Sequence, residues 1–220
     1  LNQSCKLVKY ADDLTLYAAF SKSDRSTIPA FQLALDEIAE WAVDNNMLVN
    51  ASKTKLMHIS LFEPKYVPSF TINSQILDTF ELAKLLGVTI DTKLSFSEHI
   101  KDTYSRLGGR IYGMRELKRL GLNTEGLTLY YTANIRSVLT YACPVWGSLI
   151  TDKDQAIFKQ VERQALKSDI EYSEAIQIYD LPPVKPFTEQ LSRSVMNKTP
   201  LTHWTILSSV KQLDARECQC

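Results

Sequence analysis

No apolar run in this 220-residue chain approaches the roughly 18 residues that a membrane-crossing helix needs, which excludes a helical membrane span from the reading. The opening stretch, Leu1 to Lys9, is mixed in character and lacks the apolar centre of a secretory leader. Leu1 also stands where an initiator Met is expected, which suggests further chain upstream. Net charge is missing too. Lys plus Arg and Asp plus Glu are 25 each, so any claim on nucleic acid must rest on local clustering. Cysteines number only four, and Cys218 and Cys220 have no second Cys or His pair at zinc-ligand spacing. All four read as free thiols of a reducing compartment. Internal repeats and low-complexity segments are absent as well, which excludes a solenoid or a disordered tail-like chain. What is present is ordinary globular material, 45% hydrophobic and 23% charged, enough for one good-sized domain or two small ones.

Residues 6–19, KLVKYADDLTLYAA, are two apolar-rich runs around Ala11, Asp12 and Asp13. They predict a β-hairpin with carboxylates at its tip. Ser26 or Thr27 caps a helix with Pro29 in its first turn, and Phe31, Leu35, Ile38 and Trp41 form its buried stripe. Asp44, Asn45 and Asn46 end it. A strand is expected over residues 56–62, a small hairpin turning at Asn73 and Ser74, and a strand over Leu85–Asp91 with Gly87 inside it. This order is an α+β layer with a helix across one face. Beyond residues 92–97 the pattern turns helical. Ser97 caps a long segment with Ile100, Tyr104, Leu107, Ile111 and Met114 on one side, and Gly121 breaks it. Asn123 or Thr124 caps a second helix running to a stop at Pro144. Thr151 or Asp152 caps a third, with Ile157, Val161 and Ala165 inward. Three amphipathic helices with short connections make a small bundle. From Ser168 onward the pattern weakens.

Asp12 and Asp13 carry two readings. Adjacent aspartates are common turn residues, because their side chains bond nearby backbone groups. They are also what magnesium phosphoryl-transfer chemistry uses, since Mg²⁺ takes oxygen ligands and keeps room for phosphates and water. Successive strand side chains point to opposite faces, so the two are not equivalent ligands unless the turn bends. Asp12 is the expected inner ligand and Asp13 a second or outer one.

Four blocks in order bear on that choice. They are Tyr10 to Leu14 (YADDL), Trp41 with residues 46–50 (NMLVN) and 53–55 (KTK), residues 86–91 (LGVTID) with 94–97 (LSFS) and His99-Ile100, and residues 135–146 around IRSVL and YACPVW. Together they resemble the reverse transcriptases of non-LTR, LINE-type retrotransposons, over about Lys6 to Leu181. Ser137 and Thr140 depart from the family pattern, which favours Pro and an acidic residue there. The resemblance implies a partial polymerase palm, antiparallel strands with a packed helix, in residues 1–92. A three-helix thumb follows in 93–167 and a weakly defined extension in 168–220. The implied activity is RNA-directed DNA polymerisation by two-metal nucleotidyl transfer.

The same resemblance implies the site. Asp12 and Asp13 would hold two Mg²⁺ ions with a third carboxylate from an earlier strand, and Lys53 would approach the triphosphate. Leu86, Gly87 and Val88 would form the primer grip. The alternatives stay open: Lys53 as a solvated surface lysine, and Gly87 as a bulge in a sheet edge. Between Glu98 and Arg119 six basic residues face three acidic ones, a local +3. Lys101, Arg106, Arg110 and Arg115 are candidate contacts to phosphates, against the plainer reading of a solvated helix face. The glycines Gly108 and Gly109 within this helix ask for a packing or ligand reason, because each costs roughly 1 kcal/mol against alanine. Tyr130, Tyr131, Tyr141 and Trp146 are read as core, and His58, His99 and His203 are given no catalytic role. Expected partners are an RNA template, a DNA primer, deoxynucleoside triphosphates, and the fingers and N-terminal palm of the same polyprotein. Without the third carboxylate the chain alone is not expected to polymerise. A non-catalytic nucleic-acid-binding remnant is the competing reading.

Overall fold

The computed structural model describes residues 5–20, 26–60 and 67–166, together with the backbone of 205–210 and 213–215. The chain divides into two compact units between Leu94 and Ser95, and mixes helices with small antiparallel sheets. The α+β class stands. Expectations for His203, Cys218, Cys220 and most of the extension fall outside the described residues, as does the end of the strand expected over 56–62.

The first unit opens with β1 (Cys5–Tyr10) and β2 (Asp13–Ala18), paired antiparallel from Cys5↔Ala18 to Tyr10↔Asp13. Leu14, Leu16 and Ala18 alternate onto one face and are buried against α1 (Thr27–Asp44). Phe31, Leu35 and Ile38 supply the helix side of this core, as the spacing predicts. Trp41 does not: it is 43% exposed, with the Lys9 ammonium 5.6 Å from its ring, and Ala42 is buried instead. The helix drifts by one position there, so the small residue faces the sheet and the large one covers its rim.

Helix α1 stops as its sequence asks. Asn46 takes a left-handed conformation at φ 55°, and the Asn45 side chain donates to the Trp41 carbonyl at 2.8 Å. The short β3 (Met47–Val49) follows at once. The hairpin of β4 (Thr71–Ile72) and β5 (Gln75–Ile76) turns at Asn73 and Ser74, both at positive φ, as expected. Gln32 of α1 reaches across to it. Its amide donates to the Thr71 carbonyl at 2.9 Å and accepts from the Thr71 N–H at 3.0 Å. Residues 57–60 form no strand; Leu56 makes an isolated bridge to Thr79, and the Ser60 N–H donates to the Thr92 carbonyl at 3.0 Å. Strands β6 (Leu82–Leu85) and β7 (Val88–Asp91) form a third hairpin. The backbone of β8 (Thr205–Val210) pairs antiparallel with β2, and β9 (Leu213–Ala215) pairs with β3.

The second unit is helical. Its longest element, α2 (Ser97–Arg119), buries Ile100, Leu107, Ile111 and Met114, with His99 and Thr103 in place of the expected Tyr104. It ends in a Schellman motif: Gly121, at φ 87°, donates to the Lys118 carbonyl, and Leu122 donates to that of Leu117. Asn123 then caps α3 (Thr124–Tyr130) by accepting from the Gly126 N–H at 2.9 Å. The spacing predicts a continuous helix from here to Pro144. Instead the chain widens into a π-turn at Tyr131–Arg136 before the short α4 (Ser137–Leu139). The hydroxyls of Thr128, Thr132, Ser137 and Thr140 each donate to the carbonyl four residues back, bonding that bends helices. Pro144 opens, rather than closes, a helix: α5 (Cys143–Trp146) starts after Ala142 at φ 51°.

In α6 (Asp152–Leu166), Asp154, Phe158, Val161 and Ala165 face inward, so Phe158 takes the place expected for Ile157. Phe158 stacks on buried Trp146 with ring centroids 5.4 Å apart. The Asp154 carboxylate accepts from Thr151 at 2.7 Å and from Ser97 at 3.0 Å, which ties together the starts of α6 and α2. Tyr131 and Trp146 are core, as their spacing suggests, whereas Tyr141 is exposed. Cys5 and Cys143 are buried thiols outside any disulfide, and burial pushes both above the usual thiol range. Among the described residues, no helix is long and apolar enough to cross a membrane.

His58 gives the first unit a pH signature. Its ring bonds the Pro68 backbone, while buried Nε2 finds no partner among the described residues, and desolvation lowers its pKa. The unfolded chain therefore binds more protons near the ordinary value of 6.5, and stability falls as pH drops through that value towards the folded pKa. Urea titrations at about pH 7.5 and about pH 5.5 should show this loss in the natural chain and a smaller one in His58→Gln. An equal loss in both would remove His58 from the account.

Candidate active site

The hairpin tip is a two-residue turn, Ala11–Asp12, closed by the Tyr10↔Asp13 pair. Ala11 sits at φ 52°, a left-handed conformation that costs an L-residue roughly 1–2 kcal/mol. A strained non-glycine residue beside two carboxylates is the kind of local cost that persists at functional positions. The turn lifts Asp12 into solvent. Asp13 begins β2 and is half-buried. By alternation with Leu14, Asp13 lies on the sheet face turned away from α1, beside Tyr10, which is 66% exposed. Neither carboxylate is hydrogen-bonded or ion-paired through its side chain among the described residues. The two are thus adjacent and accessible, and among the described residues neither is paired with a cation, as a hard-cation site requires. No third acidic residue joins them: the described residues contain no group of three or more possible metal ligands. As a donor set, two adjacent carboxylates have the hard oxygen chemistry that divalent cations of the Mg²⁺ type prefer.

Lys53 lies elsewhere in the first unit, exposed on a turn after β3. That turn is organised by Asn50 and Thr54, a feature missed from sequence, although Asn followed three residues later by a loop lysine is a readable side-chain-capped turn. Lys55 lies 4.8 Å over the Phe80 ring and is part of the local packing. The Leu86–Gly87 pair is the turn of the β6–β7 hairpin, with φ 46° and 84°, and only Val88 belongs to a strand. Gly87 is therefore not inside a strand, and the bulge alternative falls with that expectation. Both residues of such a turn need positive φ, which explains the glycine without appeal to a close ligand.

The basic residues of α2 divide. Arg110 donates to the Asn134 carbonyl of the π-turn at 2.7 Å, and the Tyr130 hydroxyl donates back to the Arg110 carbonyl at 3.2 Å. Arg106 folds onto its own helix, bonding the Asp102 carbonyl and Thr103. Arg115 reaches the Gln164 carbonyl at 3.5 Å. Lys101 pairs with Glu98 at 2.6 Å, which holds its ammonium above the usual lysine range. Gly113 has a packing reason, since a Cβ there would meet the Tyr130 hydroxyl at 2.7 Å. Gly108 and Gly109 have none: a Cβ at either would meet open space.

Comparison with known proteins follows the same direction. The RNA-directed DNA polymerase from mobile element jockey of Drosophila funebris is 30% identical over 143 residues, and that of Drosophila melanogaster is 32% identical over the same length. The probable RNA-directed DNA polymerase from transposon BS of Drosophila melanogaster is 27% identical over 145 residues. This chain is a relative of the RNA-directed DNA polymerases of non-LTR retrotransposons. Each alignment covers 64% of the chain, which spans only about 15–16% of the length of these relatives. No family model matches the chain. No solved structure matches it either.

The two turns make opposite predictions. Ala11→Gly should stabilise the first unit by about 1 kcal/mol, because glycine adopts the left-handed conformation freely, and Gly87→Ala should destabilise it by at least that much. Chemical denaturation measures both. Equal and negligible effects would show that neither turn is under backbone constraint.

Proposed function

We propose that this chain carries the later part of a reverse transcriptase active site, with the Asp12–Asp13 hairpin as its metal-binding element. The observation that carries the reading is the pair of adjacent, accessible carboxylates on a strained tip, in a chain similar to RNA-directed DNA polymerases. Two Mg²⁺ ions bound there would activate a primer 3′-hydroxyl and neutralise charge on the departing pyrophosphate. Asp12, exposed at the tip, serves as the inner ligand, and Asp13 steadies it from the first position of β2. Lys53 offers its ammonium to the phosphates, where a positive charge stabilises the leaving group. Residues 1–92 then correspond to the end of the palm and 93–167 to the thumb. Leu86, Gly87 and Val88 present a hairpin tip to the primer strand.

In this reading α2 lies along the template–primer duplex and contacts phosphates rather than bases, which suits an enzyme that must accept any sequence. Lys101 and Arg115 act from its exposed surface. Arg110 holds the helix to the π-turn and Arg106 folds onto its own helix, and both exchange those partners for phosphates as the duplex arrives. The RNA template, DNA primer and deoxynucleoside triphosphates are the substrates of the complete enzyme.

A second reading has a specific observation behind it. The described residues offer two carboxylates and not three, which favours a nucleic-acid-binding remnant without catalysis. The readings separate in one experiment on the purified chain with an RNA–DNA primer–template. Both predict binding that weakens with salt. Charge reversal at Lys101 and Arg115 should lower affinity and flatten the salt slope by roughly one unit for each phosphate no longer neutralised. Primer extension should be absent from the chain alone under both. It should appear only for the first when an upstream segment of the same transcript supplies a third carboxylate, and vanish again in Asp12→Asn. Binding indifferent to the charge reversals would remove α2 from the proposal.

A further inference from the structure

We infer that Asn50 is a positioning residue for Lys53, an inference that rests on the proposed reading of Lys53 as a contact to nucleotide phosphate. The chain leaves β3 at buried Val49 and re-enters the core at Thr54 and Leu56, both also buried. The intervening turn is exposed at Ser52 and Lys53. Asn50 organises all of it. Its Oδ1 accepts from the Ser52 hydroxyl at 2.7 Å and from the Lys53 N–H at 3.1 Å. Its backbone carbonyl accepts from the Lys53 N–H at 3.2 Å, the Thr54 N–H at 3.1 Å and the Thr54 hydroxyl at 2.9 Å. The Lys53 N–H is thus shared between two oxygens of one residue.

This arrangement matters for what a lysine can do. Its ammonium is a point charge on a flexible four-carbon stem, so its reach is set by where the backbone holds its Cα. A turn pinned at both ends by core residues, and across its middle by one side-chain oxygen, holds that Cα in a single place. Asparagine suits the position because its short side chain bonds the backbone of its own turn. The Asn50, Lys53 and Thr54 spacing thereby acquires a physical reason: the outer two residues shape the turn that carries the middle one. Catalytic and binding groups lose much of their effect when displaced by about 1 Å, so loosening the turn weakens a phosphate contact without touching phosphate itself.

The test measures binding of inorganic tripolyphosphate with Mg²⁺ to the full chain by titration calorimetry. The change in the Lys53 Cε chemical shift on binding, followed by nuclear magnetic resonance, gives a second readout specific to that side chain. Amide spectra outside residues 49–56 report whether each variant keeps its fold. Asn50→Ala should weaken tripolyphosphate binding by roughly three- to tenfold and reduce the Lys53 Cε shift change on binding, the effect of losing one or two hydrogen bonds. Asn50→Ser, which restores a short acceptor without adding charge, should recover most of both. Lys53→Ala with unchanged binding would overturn the phosphate reading itself. Weakened binding in Lys53→Ala, with Asn50→Ala equal to the natural chain, would overturn the positioning role alone. A failure of Asn50→Ser to improve on Asn50→Ala would do the same, since the weakening would then not come from the missing acceptor.

Discussion

Burial of Leu14, Leu16 and Ala18 against Phe31, Leu35 and Ile38 is the constraint on which the rest of the first unit hangs. A strand has a period of two, so a slip of one residue would turn this apolar set to solvent and Asp13, Thr15 and Tyr17 to the core. The apolar face therefore locks the register of β1 on β2. With the register locked, the connection consists of Ala11 and Asp12 alone, and Ala11 is forced across to positive φ. The exposure of Asp12 and the opposite-face placement of Asp13 are consequences of that packing.

Electrostatics adds a second layer. Helix α1 carries Asp36, Glu37, Glu40 and Asp44 and no basic residue, whereas α2 and its last turn carry a local excess of positive charge. The chain as a whole is neutral, so this segregation is invisible to composition and apparent only element by element. In α2 much of the positive charge is engaged. Arg110, Arg115 and Lys101 all have protein partners, and the guanidinium of Arg110 helps hold the π-turn in place. A charged group can stabilise a fold and still meet phosphate, but the two roles compete for the same donors.

How much of this is legible in the sequence depends on how local the cause is. The turns at Asp12 and at Asn73–Ser74, the end of α1 at Asn45 and Asn46, the caps at Asn123 and Thr151, and the buried Phe31, Leu35 and Ile38 follow from neighbouring residues and are readable. The π-turn is not, because four hydroxyls bonding back to carbonyls change the pitch cumulatively and no single residue marks it. Trp41 and Tyr104 mislead because periodicity fixes a helix face but not its edges, where one large side chain can serve as rim rather than core. Gly87 reads as strand because a two-residue turn of Leu and Gly lacks the usual Asn or Asp. Pro144 reads as a stop when its fixed φ equally suits a helix start. The family resemblance rests on wording rather than physics, and the curated relatives bear it out.

The double bond between Gln32 and Thr71 has a consequence for association. A strand of only two residues leaves donors and acceptors open along its side, the kind of template on which foreign strands assemble. Here a glutamine amide, which carries one acceptor and one donor at nearly the spacing of a peptide unit, plugs Thr71 in place of another backbone. A helix thereby substitutes for a neighbouring strand at one residue, and the Thr71 backbone has neither its donor nor its acceptor left to offer a second chain.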